Sequence, residues 1–124
     1  MMKLVPMLGL TLVLTGCVTS HITNLTPTAS AQNDSGQYLI EMAIDHRQHT
    51  LRDDSITPYV VVGFDSYKMV RTPKMPNRWE TYVPVAADNN SVNYYFKVDY
   101  EYNKFHGRGE GSRLSKDYKM TIEK

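Results

Sequence analysis

From residue 37 onward, apolar and polar positions alternate in short runs with the period of two that belongs to half-buried strands. In "QYLIEMAID" one face carries Tyr38, Ile40, Met42 and Ile44. Residues 59–62 are a continuous apolar run, suited to a strand covered on both faces, and Gly63 then allows a bend or bulge before the strand resumes at residues 67–70. "RTPKMPN" holds two prolines and reads as a loop. The chain closes on "KDYKMTIEK", with Tyr118, Met120 and Ile122 alternating as a last strand. Upstream, Ile22 and Leu25 before Pro27 fit a short first strand. A polar strand fits residues 46–52, followed by a turn at Asp53, Asp54 and Ser55.

The strongest pattern is "RWETYVPVAADNNSVNYYFKVDYEYN", two alternating runs around a polar loop. Folded as an antiparallel hairpin, it pairs Val85 with Val92, Val83 with Tyr94, Thr81 with Phe96 and Trp79 with Val98 on an apolar face. The solvent face pairs Tyr82 with Tyr95 and Glu80 with Lys97. Cross-strand pairs of these kinds contribute about 0.2–1 kcal/mol each, and a slip by one residue would expose Phe96 or bury Lys97. Gly107, Gly109 and Gly111 read as a mobile loop. No stretch shows apolar spacing of three and four residues over a helical length. About seven short strands without helices predict an all-β fold, a single two-sheet sandwich.

Composition adds tyrosine to this picture: nine Tyr, three Phe and one Trp, which together with Val, Ile and Thr favour strands. Charge is balanced, with 14 Lys and Arg against 13 Asp and Glu, and Lys3 falls in an amino-terminal leader. Neutrality argues against nucleic acid, whose binders neutralise phosphates with a clustered basic face.

That amino-terminal segment is of another kind. Lys3 is followed by an apolar run over residues 4–14 and then by Leu14-Thr15-Gly16-Cys17. A membrane span needs about 18 or more apolar residues, so the run matches a secretory signal peptide instead. Its exit resembles the lipobox of bacterial lipoproteins. In that family the cysteine thiol is joined to a diacylglycerol, the chain is cut before it, and the new amino terminus is usually acylated. The resemblance implies a signal peptide over residues 1–16, a lipidated Cys17 with a short tether over residues 17–21, and one domain over residues 22–124. Cys17 is the only cysteine. Lipidation would consume a thiol that is otherwise a liability in an oxidising compartment, and no disulfide within the chain is available to support the core. Residue 18 is Val, whereas an Asp there tends to retain such lipoproteins in the inner membrane, so the outer membrane is the expected address.

A second resemblance rests on "ITNLTP", "VVVGFDSYKM", the Trp79-led strand and "VNYYFKVDY". Their order is similar to that of immunoglobulin-like early-set sandwiches, including modules appended to starch-active enzymes, and spans residues 20–103. It implies an immunoglobulin-like sandwich. The sugar-stacking tryptophans of those modules have no counterpart, because Trp79 is the only Trp and the register turns it inward.

Candidate chemistry is sparse. His46 and His49 stand three apart, which on a strand places them on opposite sides, so no metal ligand set follows. Asp53 and Asp54 read as a turn rather than as paired carboxylates. "GRGEGS" lacks the Lys-Ser/Thr ending of a phosphate loop, and no nucleophile elbow occurs. No catalytic residue and no cofactor is expected. Tyr82 and Tyr95, side by side in the hairpin register, are the candidate ligand-binding pair. The reading is a lipid-anchored, non-catalytic interaction or structural module of the envelope, with an envelope protein or glycan as partner. The alternative is a carbohydrate-binding module stacking sugar on Tyr82 and Tyr95, and the third a small envelope enzyme.

Overall fold

The computed structural model describes residues 20–46 and 53–124. Ten strands and one short 3-10 turn are formed among them. The first sheet has the order β1 (Ser20–Asn24), β3 (Gln37–His46), β7 (Arg78–Pro84), β6 (Val70–Arg71). In the second the order is β2 (Ala29–Ala31), β10 (Tyr118–Glu123), β8 (Ser91–Lys104), β4 (Thr57–Val62), β5 (Asp65–Lys68), and β9 (Gly107–Leu114) also pairs with β8. Relabelled in chain order, the first sheet is A-B-E-D and the second carries G, F and C side by side, which is the immunoglobulin arrangement. The expected all-β, immunoglobulin-like sandwich is therefore the fold.

The chain changes sheet where its backbone loses ladder partners. After β1, Leu25 still donates to the Glu41 carbonyl at 3.0 Å. The buried Thr26 hydroxyl then closes the pairing, donating to the Glu41 carbonyl at 3.1 Å and accepting from the Glu41 amide at 3.0 Å. Pro27 has no amide to continue the ladder, and β2 joins the other sheet, parallel to β10. At the second crossing, Met69 is buried between β5 and β6 and donates to the Pro58 carbonyl at 2.9 Å.

Alternation chose the inward faces as expected. Tyr38, Ile40, Met42 and Ile44 of β3 are buried against Val83, Val85 and Trp79 from the same sheet, and against Val60, Val92, Tyr94, Phe96, Val98, Met120 and Ile122 from the other. Phe96, Ile40 and Val83 have no exposed surface. Inside this core Tyr94 meets Phe96 edge-on at 5.6 Å between centroids, and Tyr118 lies against Tyr94 at 5.8 Å. The Asn24 side-chain amide reaches across the sandwich to donate to the Tyr94 hydroxyl at 2.9 Å, so that buried ring keeps a partner for its oxygen.

The expected hairpin of residues 79–85 with 92–102 does not form. β7 pairs with β3 and β6, while β8 pairs with β4, β9 and β10. Val85 still donates to Gly36, the residue before β3 of the first sheet, at 2.9 Å, whereas the Asn90 carbonyl already accepts from Ile122 of the second at 2.8 Å. The polar residues between them are thus a crossing between sheets. Pairs read as neighbours on one ladder, such as Val83 and Tyr94, instead enter one core from opposite sheets. Alternation specifies which face is buried, and that condition is met equally by a hairpin and by a sandwich.

Three further expectations change. Gly63 does not bend a continuing strand: with φ +60° it is the first residue of a two-residue turn, Gly63-Phe64, that reverses β4 into β5. A positive φ at that position is what a type II′ hairpin turn requires. The glycines at 107, 109 and 111 lie in strand β9 rather than in a loop. The first strand opens at Ser20, inside the expected tether. The expected turn at residues 53–55 is the 3-10 turn Asp53–Ser55, and the polar strand over 46–52 falls outside the described residues apart from His46, the last residue of β3.

Candidate functional site: the β8–β9 hairpin

Thr57 opposite Asp99 is the outermost pair between β4 and β8. Past that level β8 continues with β9 alone, through Tyr100 opposite Gly111 and Tyr102 opposite Gly109 to Lys104 opposite Gly107. The two strands therefore project from one pole of the sandwich as a ribbon with a Phe105-His106 tip. Each residue advances a strand by about 3.3 Å, so the ribbon reaches about 20 Å beyond Asp99.

An isolated two-stranded ribbon is marginal in water, and local devices support this one. Tyr100 and Tyr102 continue the inward parity of Tyr94, Phe96 and Val98, and their rings extend over the bare backbone of the glycines opposite. A Cβ at Gly111 would lie 2.7 Å from Cζ of Tyr100, and one at Gly109 would lie 2.6 Å from Cε2 of Tyr102. Only glycine admits these rings. This is aromatic cover of a glycine strand, with the two rings tilted at 6.3 Å from each other. On the other face Ser112 donates to Asp99 at 2.5 Å, and Arg108 lies 3.9 Å from Glu101. From the 3-10 turn, the Ser55 hydroxyl accepts from the Glu101 amide at 2.8 Å and donates to its carbonyl at 3.3 Å, bracing the ribbon at its base.

The ribbon and β10 belong to one edge of β8, offset by a bulge. Leu114 opposes Lys97 and Tyr118 opposes Tyr94, so three residues of one strand span two of the other. Ser115 fills the gap by donating its amide to the Phe96 carbonyl at 2.9 Å and accepting the Phe96 amide on its hydroxyl at 2.8 Å. A bulge of this kind bends its strand and adds twist, which re-aims the ribbon relative to β10.

The surface of the ribbon is aromatic and basic toward its end. Phe105 is 96% exposed, its ring edge-on to His106 at 4.7 Å. The Lys104 ammonium lies 5.8 Å from the Tyr102 ring centroid. Residues 102–109 contain Lys104, His106 and Arg108 and no acidic residue. Acidic side chains gather at the base instead, where Asp99, Glu101 and Glu110 line a shallow groove with Ser55 and Ser112. Among the described residues no group of three or more His, Cys, Asp and Glu is placed to hold a metal ion.

Tyr82 and Tyr95 are not brought together. Tyr82 is 59% exposed on β7 opposite Leu39, in the first sheet, whereas Tyr95 is half-buried on β8 opposite Val61, in the second. Both point outward, from opposite faces, so they form no common stacking platform. Trp79 is turned inward as expected, with the Arg71 guanidinium 4.7 Å from its ring centroid. Asp53 and Asp54 lie in the 3-10 turn, and His46 closes β3. His49 and Cys17 lie outside the described residues.

The ribbon went unread in the sequence, although a signal was present. Glycines at 107, 109 and 111 repeat with a period of two, the period of a strand, and mirror the tyrosines at 100 and 102.

No protein-family model matches the chain, and no curated protein does. Among solved structures it is similar to murine CRIg, with 16% sequence identity, coverage of 84% of this chain and 99% of that one, and a TM-score of 0.48. The immunoglobulin-like assignment stands on the A-B-E-D and G-F-C strand order rather than on that likeness.

Proposed function

We propose that the chain is a lipid-anchored, non-catalytic interaction module of the cell envelope, held at the outer membrane through Cys17 and making its contacts with the β8–β9 ribbon. One observation carries the contact role. The chain extends two strands beyond the third strand that would stabilise them and places Tyr100, Tyr102 and Phe105 on them, where they add little to the core. Aromatic surface on a braced element, half-buried at Tyr100 and Tyr102 and exposed at Phe105, is the composition of a recognition surface. The lipobox over residues 14–17 supports the anchor: two or more acyl chains hold a soluble domain stably where one does not. Anchoring raises the effective concentration of the module near its partners in the envelope.

Two measurements on the full chain in a bacterial host test this reading. Cell fractionation should find the protein with membranes and Cys17→Ser released from them; retention of Cys17→Ser would overturn the anchor. A photo-reactive amino acid at position 105 should give adducts that the same probe at position 64, at the tip of the β4–β5 turn, does not. Equal labelling at both tips would overturn the ribbon as contact element.

A further inference from the structure

We infer that the partner of the ribbon is the bilayer itself, its tip seated among the headgroups of anionic phospholipid beside the lipid anchor. This rests on the proposed anchoring through Cys17 and deepens it.

The first support is position. Ser20 pairs with His46 at the end of the sandwich that β3 leaves toward β4, and Thr57, the start of β4, pairs with Asp99 where the ribbon emerges. A shallow groove lined by His21 and Ile22 on one side and Arg113, Leu114 and Lys116 on the other sets the two levels side by side. Ser20, the first described residue, thus lies at the ribbon's own pole. Phe64 lies at the opposite pole, because β4 runs toward it antiparallel to β8.

The second support is length. From Cys17 to His21 is four residues, a contour of at most about 14 Å. From Lys97, opposite Leu114 at the level of His21, to Phe105 is eight residues, about 26 Å of strand. A tether stretched straight along the ribbon still ends short of the tip. With the anchor in the membrane, the ribbon is therefore carried to the bilayer surface, pointed at it or laid along it.

The third support is chemistry. Tyr and other amphipathic rings concentrate at membrane interfaces, where an apolar body and a polar edge are both satisfied. Tyr100 and Tyr102 supply such rings behind an exposed Phe105. Lys104 flanks the tip, as suits an anionic surface, and Arg108 stands beside it within 3.9 Å of Glu101, while Asp99 and Glu110 stay at the base.

Bromolipid quenching tests the inference. The full lipidated protein is reconstituted in vesicles of phosphatidylethanolamine and phosphatidylglycerol with brominated acyl chains. Tryptophan replaces Phe105 in one variant and Phe64 in another, both at exposed turn tips, with Trp79 a common background. Phe105→Trp should be quenched about twofold or more beyond Phe64→Trp, as an interfacial ring is. The excess should shrink when phosphatidylglycerol is omitted or when Lys104→Glu and Arg108→Glu are added. Equal quenching at the two tips in a protein shown by mass to carry lipid on Cys17 would overturn the inference and leave the anchor standing. A product without lipid on Cys17 would overturn both. A Phe105 photo-adduct that is protein rather than phospholipid, with no excess quenching, would give the ribbon a protein partner and likewise overturn the inference.

Discussion

The Tyr102 ring occupies the space above Gly109 that any side chain at that position would fill. The two residues face each other across the β8–β9 ladder, so the contact exists only in this register. It couples an aromatic residue outside the core to a glycine that this ring and the Lys104 side chain cover.

Gly109→Val should push Tyr102 off the strand and loosen the ribbon without unfolding the sandwich. The ribbon past Asp99 has no third strand, so global stability should change by less than about 0.5 kcal/mol, as for substitutions away from the core. Hydrogen exchange of the amides of residues 100–111 should become markedly faster, while that of β3 and β7 stays as it was, since local opening and global unfolding are separable. Unchanged exchange in the ribbon would show that the ring does not hold it.

Phe96, two residues before Val98 on the same β8 face, belongs to the other regime. It is fully buried among residues of both sheets. Phe96→Ala should cost about 3–5 kcal/mol through lost transfer energy and the cavity left behind, against total stabilities of about 5–15 kcal/mol for such domains. Urea denaturation should show a lower midpoint with an unchanged slope. A loss below about 1 kcal/mol would contradict a core centred on this ring.

Why one half of β8 was legible and the other was not is a matter of what alternation encodes. Tyr94, Phe96 and Val98 alternate with polar residues because one face is buried, and that is visible without knowing the neighbours. Which strand is the neighbour is not encoded in the pattern: Val83 and Tyr94 satisfy the same burial whether they are side by side or face to face. The ribbon was hidden for a different reason. Its inner face is buried by tyrosine on one strand and by the absence of side chains on the other, so β9 carries almost no apolar residue to betray a strand. The proposed anchor is of another kind, since the resemblance to a lipobox is read residue by residue and rests on no fold.

The bond from Asn24 to Tyr94 offers a test of the link between sheets. Tyr94→Phe removes the acceptor and should cost about 1 kcal/mol. Asn24→Ala should cost more, because its side-chain oxygen also accepts the Thr26 amide at 3.0 Å at the point where the chain leaves β1. The double variant should be less destabilised than the sum of the two, with thermal or urea unfolding as the readout. Strict additivity would mean that the two side chains do not meet.

Tyr82 and Tyr95 provide the converse case. A hairpin would have placed their rings in contact; the sandwich separates them on opposite outer faces. Tyr82→Ala removes an exposed ring and should change stability by less than about 0.5 kcal/mol. Tyr95→Ala should cost more, since that ring is half-buried opposite Val61, which is itself buried outside the main core. The two effects should then add to within about 0.3–0.5 kcal/mol, as expected for sites with no shared partner. A coupling of about 1 kcal/mol or more would restore the side-by-side pair and with it a common stacking surface. Because the strand order puts β3 beside β7 and β4 beside β8, that coupling would contradict the sandwich as well as the separation of the rings.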